Sequence, residues 1–384
     1  MTAICILGMH RSGTSTITRA FNLLGAYLGE EKDLMIPLPD NPEGYWERPD
    51  LYYLHERMLS VLKRDWASSA PLPENCYKSD EIRPLKEELV KLVEKNFSGR
   101  PLWLWKDPRT CLLLPLWKDV LSELNIDFKV VFAVRNPLDV ARSLEKRDGF
   151  TLDKGMGIWF NYTLSALKGI EGLETVFLSY DRFLIDWETE LKQCADGLGI
   201  EWPADEAGLR TEMLSFLRPS MRHSASGLDE LHEMNAPEPV IRLHGVLLEI
   251  LSGTGKLYPA AVKMIEDYYK EYLSYARFFD FEMAVLADYR LRFDEISSSP
   301  EVLPKILGLK KDLDKRTKWA LKLNKEVKLL REQVASHQKK IKELLPLTES
   351  VDIELQKVLS SMSWKFLKPL RFAHELLMKL RKDK

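Results

Sequence analysis

Four short stretches of the chain are apolar at nearly every position: Ile4-Cys-Ile-Leu7, Leu102-Trp-Leu-Trp105, Phe128-Lys-Val-Val-Phe-Ala-Val134 and Thr175-Val-Phe-Leu-Ser-Tyr180. A strand whose side chains avoid water on both faces must be covered on both faces. Parallel strands flanked by helices meet that condition, whereas a half-exposed antiparallel sheet does not. Amphipathic stretches at Ser15 to Leu24, Pro84 to Phe97 and Val140 to Lys146 supply the covering layers. The expectation is an α/β domain built on a doubly wound parallel sheet. With 384 residues, 45% of them hydrophobic, the chain is long enough for one such core and an appendage.

The first strand runs into Gly8-Met-His-Arg-Ser-Gly-Thr-Ser15, which then opens a helix. Loop amides and a helix N-terminus in that order can cradle an anion. Against the phosphate-loop pattern G-x-x-x-x-G-K-[ST], Gly8, Gly13 and Ser15 match, but Thr14 stands where a triphosphate kinase carries lysine. The positive charge sits instead at Arg11, within reach of a transferring group. The third strand runs into Arg135-Asn-Pro-Leu-Asp-Val-Ala-Arg-Ser143. Its arginine leaves a strand end and its serine lies in the first turns of the next helix. Asp139 is placed to cap that helix.

The net charge of −2 provides no global basic field, so no nucleic-acid partner is expected and anion binding must be local. Cys5, Cys76, Cys111 and Cys194 form no C-x-x-C pair, and no histidine lies near them at zinc-ligand spacing. No metal is expected. Met1-Thr-Ala leads straight into the first strand, without room for a signal peptide, and no apolar stretch is of spanning length. A cytoplasmic location is expected.

Together the R-S-G-T-S loop and the R-x-P-x-D-x-x-x-S segment resemble the sulfotransferase superfamily, particularly its bacterial members. The resemblance covers roughly residues 1 to 225. It implies a sheet of the P-loop nucleoside triphosphate hydrolase type and transfer of a sulfuryl group from 3′-phosphoadenylyl sulfate, the donor cosubstrate, to a hydroxyl acceptor. It further implies that Arg11, Ser12, Gly13, Thr14, Ser15, Arg135 and Ser143 hold the donor. Tyr180 aligns with a residue that contacts the adenine, the alternative being a buried tyrosine. Arg222 and His223 resemble the basic loop that closes over the nucleotide.

On the acceptor side, Asn41-Pro-Glu-Gly-Tyr-Trp-Glu-Arg48 resembles the bacterial segment in which a glutamate is the base; Glu47 is favoured over Glu43. Trp105-Lys-Asp-Pro-Arg109 resembles the group's K-D-P-R segment. It makes Lys106 a contact to the sulfuryl group, Asp107 a rival base, and Arg109 a residue that orients Glu47 or the acceptor; the alternative is a buried ion-pair network. His10 reads as a loop-packing or acceptor-facing group, and His55, on a helix after the glutamate segment, as surface or core.

Helical patterns fill 227–296, which closes a catalytic domain over 1–296; Ser297-Ser-Ser-Pro300 breaks the chain within a 297–304 linker. Over 305–345, Ile306, Leu313, Ala320, Val327, Val334 and Ile341 take the a positions of a coiled coil with mostly leucine at d. A homodimer is the favoured reading, and a helix folded back on the domain the alternative. The 346–384 tail is a basic amphipathic segment whose Ser361-Met-Ser-Trp-Lys-Phe-Leu-Lys-Pro-Leu-Arg371 resembles tails of bacterial enzymes that build surface polysaccharides. That resemblance implies a glycan or lipid-linked saccharide acceptor. The tail itself reads either as a peripheral contact with the inner face of the cell membrane or as a protein contact. Two other functions stay open, a divergent P-loop kinase and a catalytically idle scaffold for a polysaccharide assembly.

Overall fold

Each apolar run is a strand: β1 (Thr2–Leu7), β2 (Leu102–Trp105), β3 (Asp127–Val134) and β4 (Glu174–Ser179). They form one sheet in the order β2-β1-β3-β4, every pairing parallel, with Ile4 level with both Leu104 and Lys129. The structure is a computed structural model describing residues 1–37, 41, 44–73, 75–217, 226–253 and 255–275, all within the unit Met1–Tyr289. Glu43, Arg222, His223, the linker, the coiled coil and the tail lie outside the described residues.

Between β1 and β2 come α1 (Thr14–Leu23), α2 (Pro49–Val61) and α3 (Arg83–Phe97). The helix α4 (Thr110–Glu123) joins β2 to β3, and α5 (Pro137–Asp148) with α6 (Leu152–Gly169) joins β3 to β4. After β4 follow α7 (Tyr180–Ile185), α8 (Trp187–Leu198), α9 (Glu206–Phe216), α10 (Leu228–Glu233), α11 (Glu238–Ser252) and α12 (Pro259–Ser274).

Alternate residues of the strands enter two separate cores, as a sheet covered on both faces requires. Cys5, Leu7, Trp103, Trp105, Val130 and Phe132 pack beneath α4, α5 and α6. Ile4, Ile6, Leu104, Val131 and Leu178 pack against α1, α8 and α9. The first core is held by an aromatic ladder in which Trp103 stacks on Phe97 at 4.0 Å and Trp105 on Trp117 at 4.2 Å. Stacked and offset pairs of this kind add to the burial of large rings.

Two boundaries differ from the sequence expectation for local reasons. Ser179 accepts from the Arg182 amide, so Tyr180 opens α7 instead of closing β4. In α5, the Asn136 side chain accepts from the Leu138 amide (2.9 Å) and Pro137 takes the first helical position, which starts the helix three residues before Val140. Asn136, not Asp139, is therefore the cap. No helix among the described residues is long and apolar enough to cross a membrane.

All four strands end at the same edge. From β1 the chain leaves toward β2, and from β3 toward β4 on the other side. The order reverses between β1 and β3, and a crevice opens at the carboxyl ends there.

Candidate active site

The loop between β1 and α1 lies in that crevice. Gly13 precedes α1 at φ 81°, and no side chain caps the helix, so its first amides are open to an anion. A Cβ at Gly13 would stand 2.0 Å from the Tyr180 ring. Only glycine allows that approach, and the tyrosine therefore lies directly against the loop. Burial raises the Tyr180 hydroxyl above its ordinary pKa, against the pull of the neighbouring Arg135.

Arg11 takes φ 68°, a left-handed conformation unusual for a non-glycine residue. Its Nε donates to Ser143 Oγ at 2.8 Å, and its carbonyl accepts from Arg135 Nη1 at 2.7 Å. The Arg135 guanidinium lies 5.0 Å from the centre of the Tyr180 ring, while its buried Nε has no hydrogen-bond partner. Residues from β1, β3, α5 and α7 thus meet at one point. The Arg11 side chain reaches toward α5. Asp139 accepts from the Ser226 amide (3.2 Å) and hydroxyl (2.7 Å), and Asn136 Nδ2 donates to the Ser226 carbonyl (2.7 Å). Asp139 therefore ties a distant segment to α5.

The second half of the crevice is formed where β2 ends. Lys106 Nζ donates to Ser15 Oγ at 3.2 Å and makes a close ion pair with Glu47. Both side chains are buried, 2% and 8% exposed. Asn41 Nδ2 also donates to Ser15 Oγ (3.3 Å), and the Arg19 guanidinium of α1 lies 4.7 Å from the Trp46 ring. These contacts fasten the glutamate segment to the phosphate loop. Burial pushes the Glu47 carboxyl upward, with Lys106 opposing and Asp107 adding to the rise. Ser12 and Thr14 are buried in the loop.

Asp107 is spent on its neighbours. Its Oδ1 accepts from the Arg109 amide and from Arg109 Nη1, both at 2.9 Å, and its Oδ2 lies 2.8 Å from His55 Nδ1. Burial alone would raise this carboxyl, but Arg109 and His55 outweigh it and hold it far below the carboxylate range. A group this weakly basic is a poor proton acceptor. Trp117 Nε1 donates to His55 Nε2 (2.9 Å). An indole nitrogen only donates, so His55 carries its hydrogen on Nδ1 and gives it to Asp107.

Arg109 also pairs with Glu56, and its guanidinium lies 4.3 Å from the Tyr52 ring centre. It organises Asp107, Glu56 and Tyr52; no bond to Glu47 forms among the described residues. Sequence reasoning missed Tyr52 and Glu56. Their signal is the i,i+4 spacing on α2, which sets both on one helical face.

The Asp107 shift has a consequence for stability. A carboxyl depressed by folding contributes stability above its unfolded pKa, ~3.9, and loses it as the pH falls below that value. Urea unfolding of the native chain should therefore weaken more steeply below pH 4 than that of Asp107→Asn. At pH 7 the variant should be about 2 kcal/mol less stable. Parallel pH profiles would show that the network is not holding the ionised form.

These elements define an α/β domain with a glycine turn and an uncapped helix N-terminus at its switch point and a buried Lys106–Glu47 pair beside it. No known family's sequence profile matches the chain, and no curated protein matches it. Among solved structures it is similar to the sulfotransferase domain of the Synechococcus PCC 7002 olefin synthase, at 15% identity over 64% of this chain and 94% of that one, TM-score 0.35. It is also similar to the sulfotransferase domain from the curacin biosynthetic pathway (16%, 70% and 97%, TM-score 0.33). A third is a sulfotransferase from Alicyclobacillus acidocaldarius (14%, 64% and 96%, TM-score 0.35).

Proposed function

We propose that the chain transfers a sulfuryl group from 3′-phosphoadenylyl sulfate to an acceptor hydroxyl, with a saccharide as acceptor. The observation that carries this reading is the meeting of Arg11, Ser143 and Arg135 beside a phosphate loop without its lysine. A triphosphate needs cationic charge along its chain. A nucleotide with a second, separate phosphate needs two grips on adjacent turns, and this crevice has two.

The residues fit such a donor. The buried Arg135 Nε without a partner offers a donor hydrogen to a phosphate oxygen. Gly13 and the open amides of α1 suit the 5′-phosphate, and the Tyr180 ring supplies an apolar wall for the base. In the transfer, the acceptor oxygen bonds to sulfur as the sulfur–oxygen bond to the phosphate breaks. Glu47 takes the acceptor's proton, and Lys106 stabilises charge on the departing oxygen. Ser15, bonded by both Lys106 and Asn41, fixes the pair beside the loop.

Calorimetric titration with adenosine 3′,5′-bisphosphate and with ATP plus magnesium tests the donor site. The bisphosphate should bind without metal and lose about 10- to 100-fold in affinity in Arg135→Ala, as expected for a lost charge-assisted bond. Binding of ATP with magnesium alone would favour a kinase, and binding of neither the idle scaffold. Dimerisation through the 305–345 coiled coil, and a peripheral membrane contact by the tail, belong to the same reading as proposals.

A further inference from the structure

Arg135 Nε is not alone among the described residues in lacking a hydrogen-bond partner. The Nε2 of His10 is buried and makes no hydrogen bond. The ring is not loosely placed. It meets Trp66 edge-on with centroids 4.9 Å apart and Tyr162 at 5.9 Å. The Tyr162 hydroxyl donates to the Trp66 carbonyl (2.7 Å). A buried imidazole nitrogen left bare costs free energy that a ligand group can recover.

The position of this nitrogen is informative. His10 precedes Arg11 in the phosphate loop, and it lies within electrostatic reach of Lys106, Asp107 and Arg109 at the end of β2. On the other side stands Arg147, one helical turn past Ser143 on α5, with its guanidinium 5.2 Å from the Trp66 ring centre. Trp66 is half-buried and stacks on Phe150 at 5.7 Å. His10 thus adjoins the strand end that carries Lys106, with Trp66 packed against it. Burial, reinforced by Arg109, holds the imidazole below its ordinary pKa and so neutral.

We propose that His10 and Trp66 form an acceptor subsite for a saccharide ring, one hydroxyl of which faces Glu47 while a second bonds His10 Nε2. This rests on the sulfotransferase reading and assigns residues to hold its saccharide acceptor. A hydroxyl both donates and accepts, so it satisfies Nε2 in either tautomer of a neutral imidazole. A monohydric alcohol spends its only hydroxyl on the reaction. The C–H edges of a sugar ring find apolar contact against Trp66.

The test uses the full chain with nitrogen-15 histidine, which gives signals from only seven residues. The protein is saturated with adenosine 3′,5′-bisphosphate, and the His10 nitrogens are assigned by their loss in His10→Gln. Methyl glucoside, methyl galactoside and methyl mannoside are titrated against cyclohexanol, a ring with one hydroxyl. At least one glycoside should shift the His10 signals saturably, cyclohexanol should not, and Trp66→Ala should weaken that glycoside about tenfold, a loss of ~1.4 kcal/mol. Silence with all three glycosides, or an equal response to cyclohexanol, overturns the subsite. If the bisphosphate itself fails to bind, the donor reading falls instead, so the two failures are distinguishable.

Discussion

A Glu47→Gln variant is expected to lose about 10²- to 10⁴-fold in turnover, the range for removing a general base, while still binding adenosine 3′,5′-bisphosphate. The substitution keeps the shape of the side chain and removes its ability to take a proton. Transfer of labelled sulfate from the donor to a glycoside, followed with release of the bisphosphate, measures the effect. Unchanged turnover would move the base to Glu43 or back to Asp107.

The pH profile separates a base from a mere partner of Lys106. Burial raises the Glu47 carboxyl, and Lys106 opposes part of that rise. Turnover should therefore increase with pH through an acidic limb lying above the ordinary glutamate value, ~4.3. Once Lys106 turns to the departing oxygen, its opposition weakens and the limb moves higher. In Glu47→Gln the limb should vanish. Asp107 cannot generate it, because Arg109 and His55 keep that carboxyl ionised throughout the range.

The strands were legible in the sequence because each carries a local pattern, an apolar run bounded by turn residues. The two segments proposed to hold phosphate stood out for the same reason: Gly8 to Ser15 and Arg135 to Ser143 are each short and sit at a strand end. What local pattern cannot express is which distant group a side chain meets. Asp139 stands where a cap could stand, yet Asn136 is better placed for the first amides, and Asp139 reaches across 87 residues to Ser226. His55 looks like any polar residue on an apolar helix face until Asp107 and Trp117 close on its two nitrogens. The direction Arg11 takes, toward Ser143 across 132 residues, is likewise set by tertiary contact and by a left-handed backbone at a non-glycine residue.

That direction makes Arg11 the most informative second target. An Arg11→Ala variant is expected to lose about 10²- to 10³-fold in sulfuryl transfer, the effect of removing one preorganised charge-stabilising donor. The residue holds φ 68° against a cost of order 1 kcal/mol, and the bonds to Ser143 and Arg135 help to offset it. Alanine keeps the strained backbone and loses the side-chain bond, whereas Arg11→Gly relieves the strain. If charge is what matters, both variants fail alike in transfer although glycine folds more stably. Binding then locates the charge. A fall in bisphosphate affinity, with adenosine 5′-phosphate unaffected, puts Arg11 on the 3′-phosphate together with Ser143. An intact bisphosphate affinity with lost turnover puts the guanidinium over the transferring group, where the loop sequence first suggested it, and requires the contact with Ser143 to break when donor binds. Full transfer in both variants would remove Arg11 from the mechanism and leave charge stabilisation to Lys106.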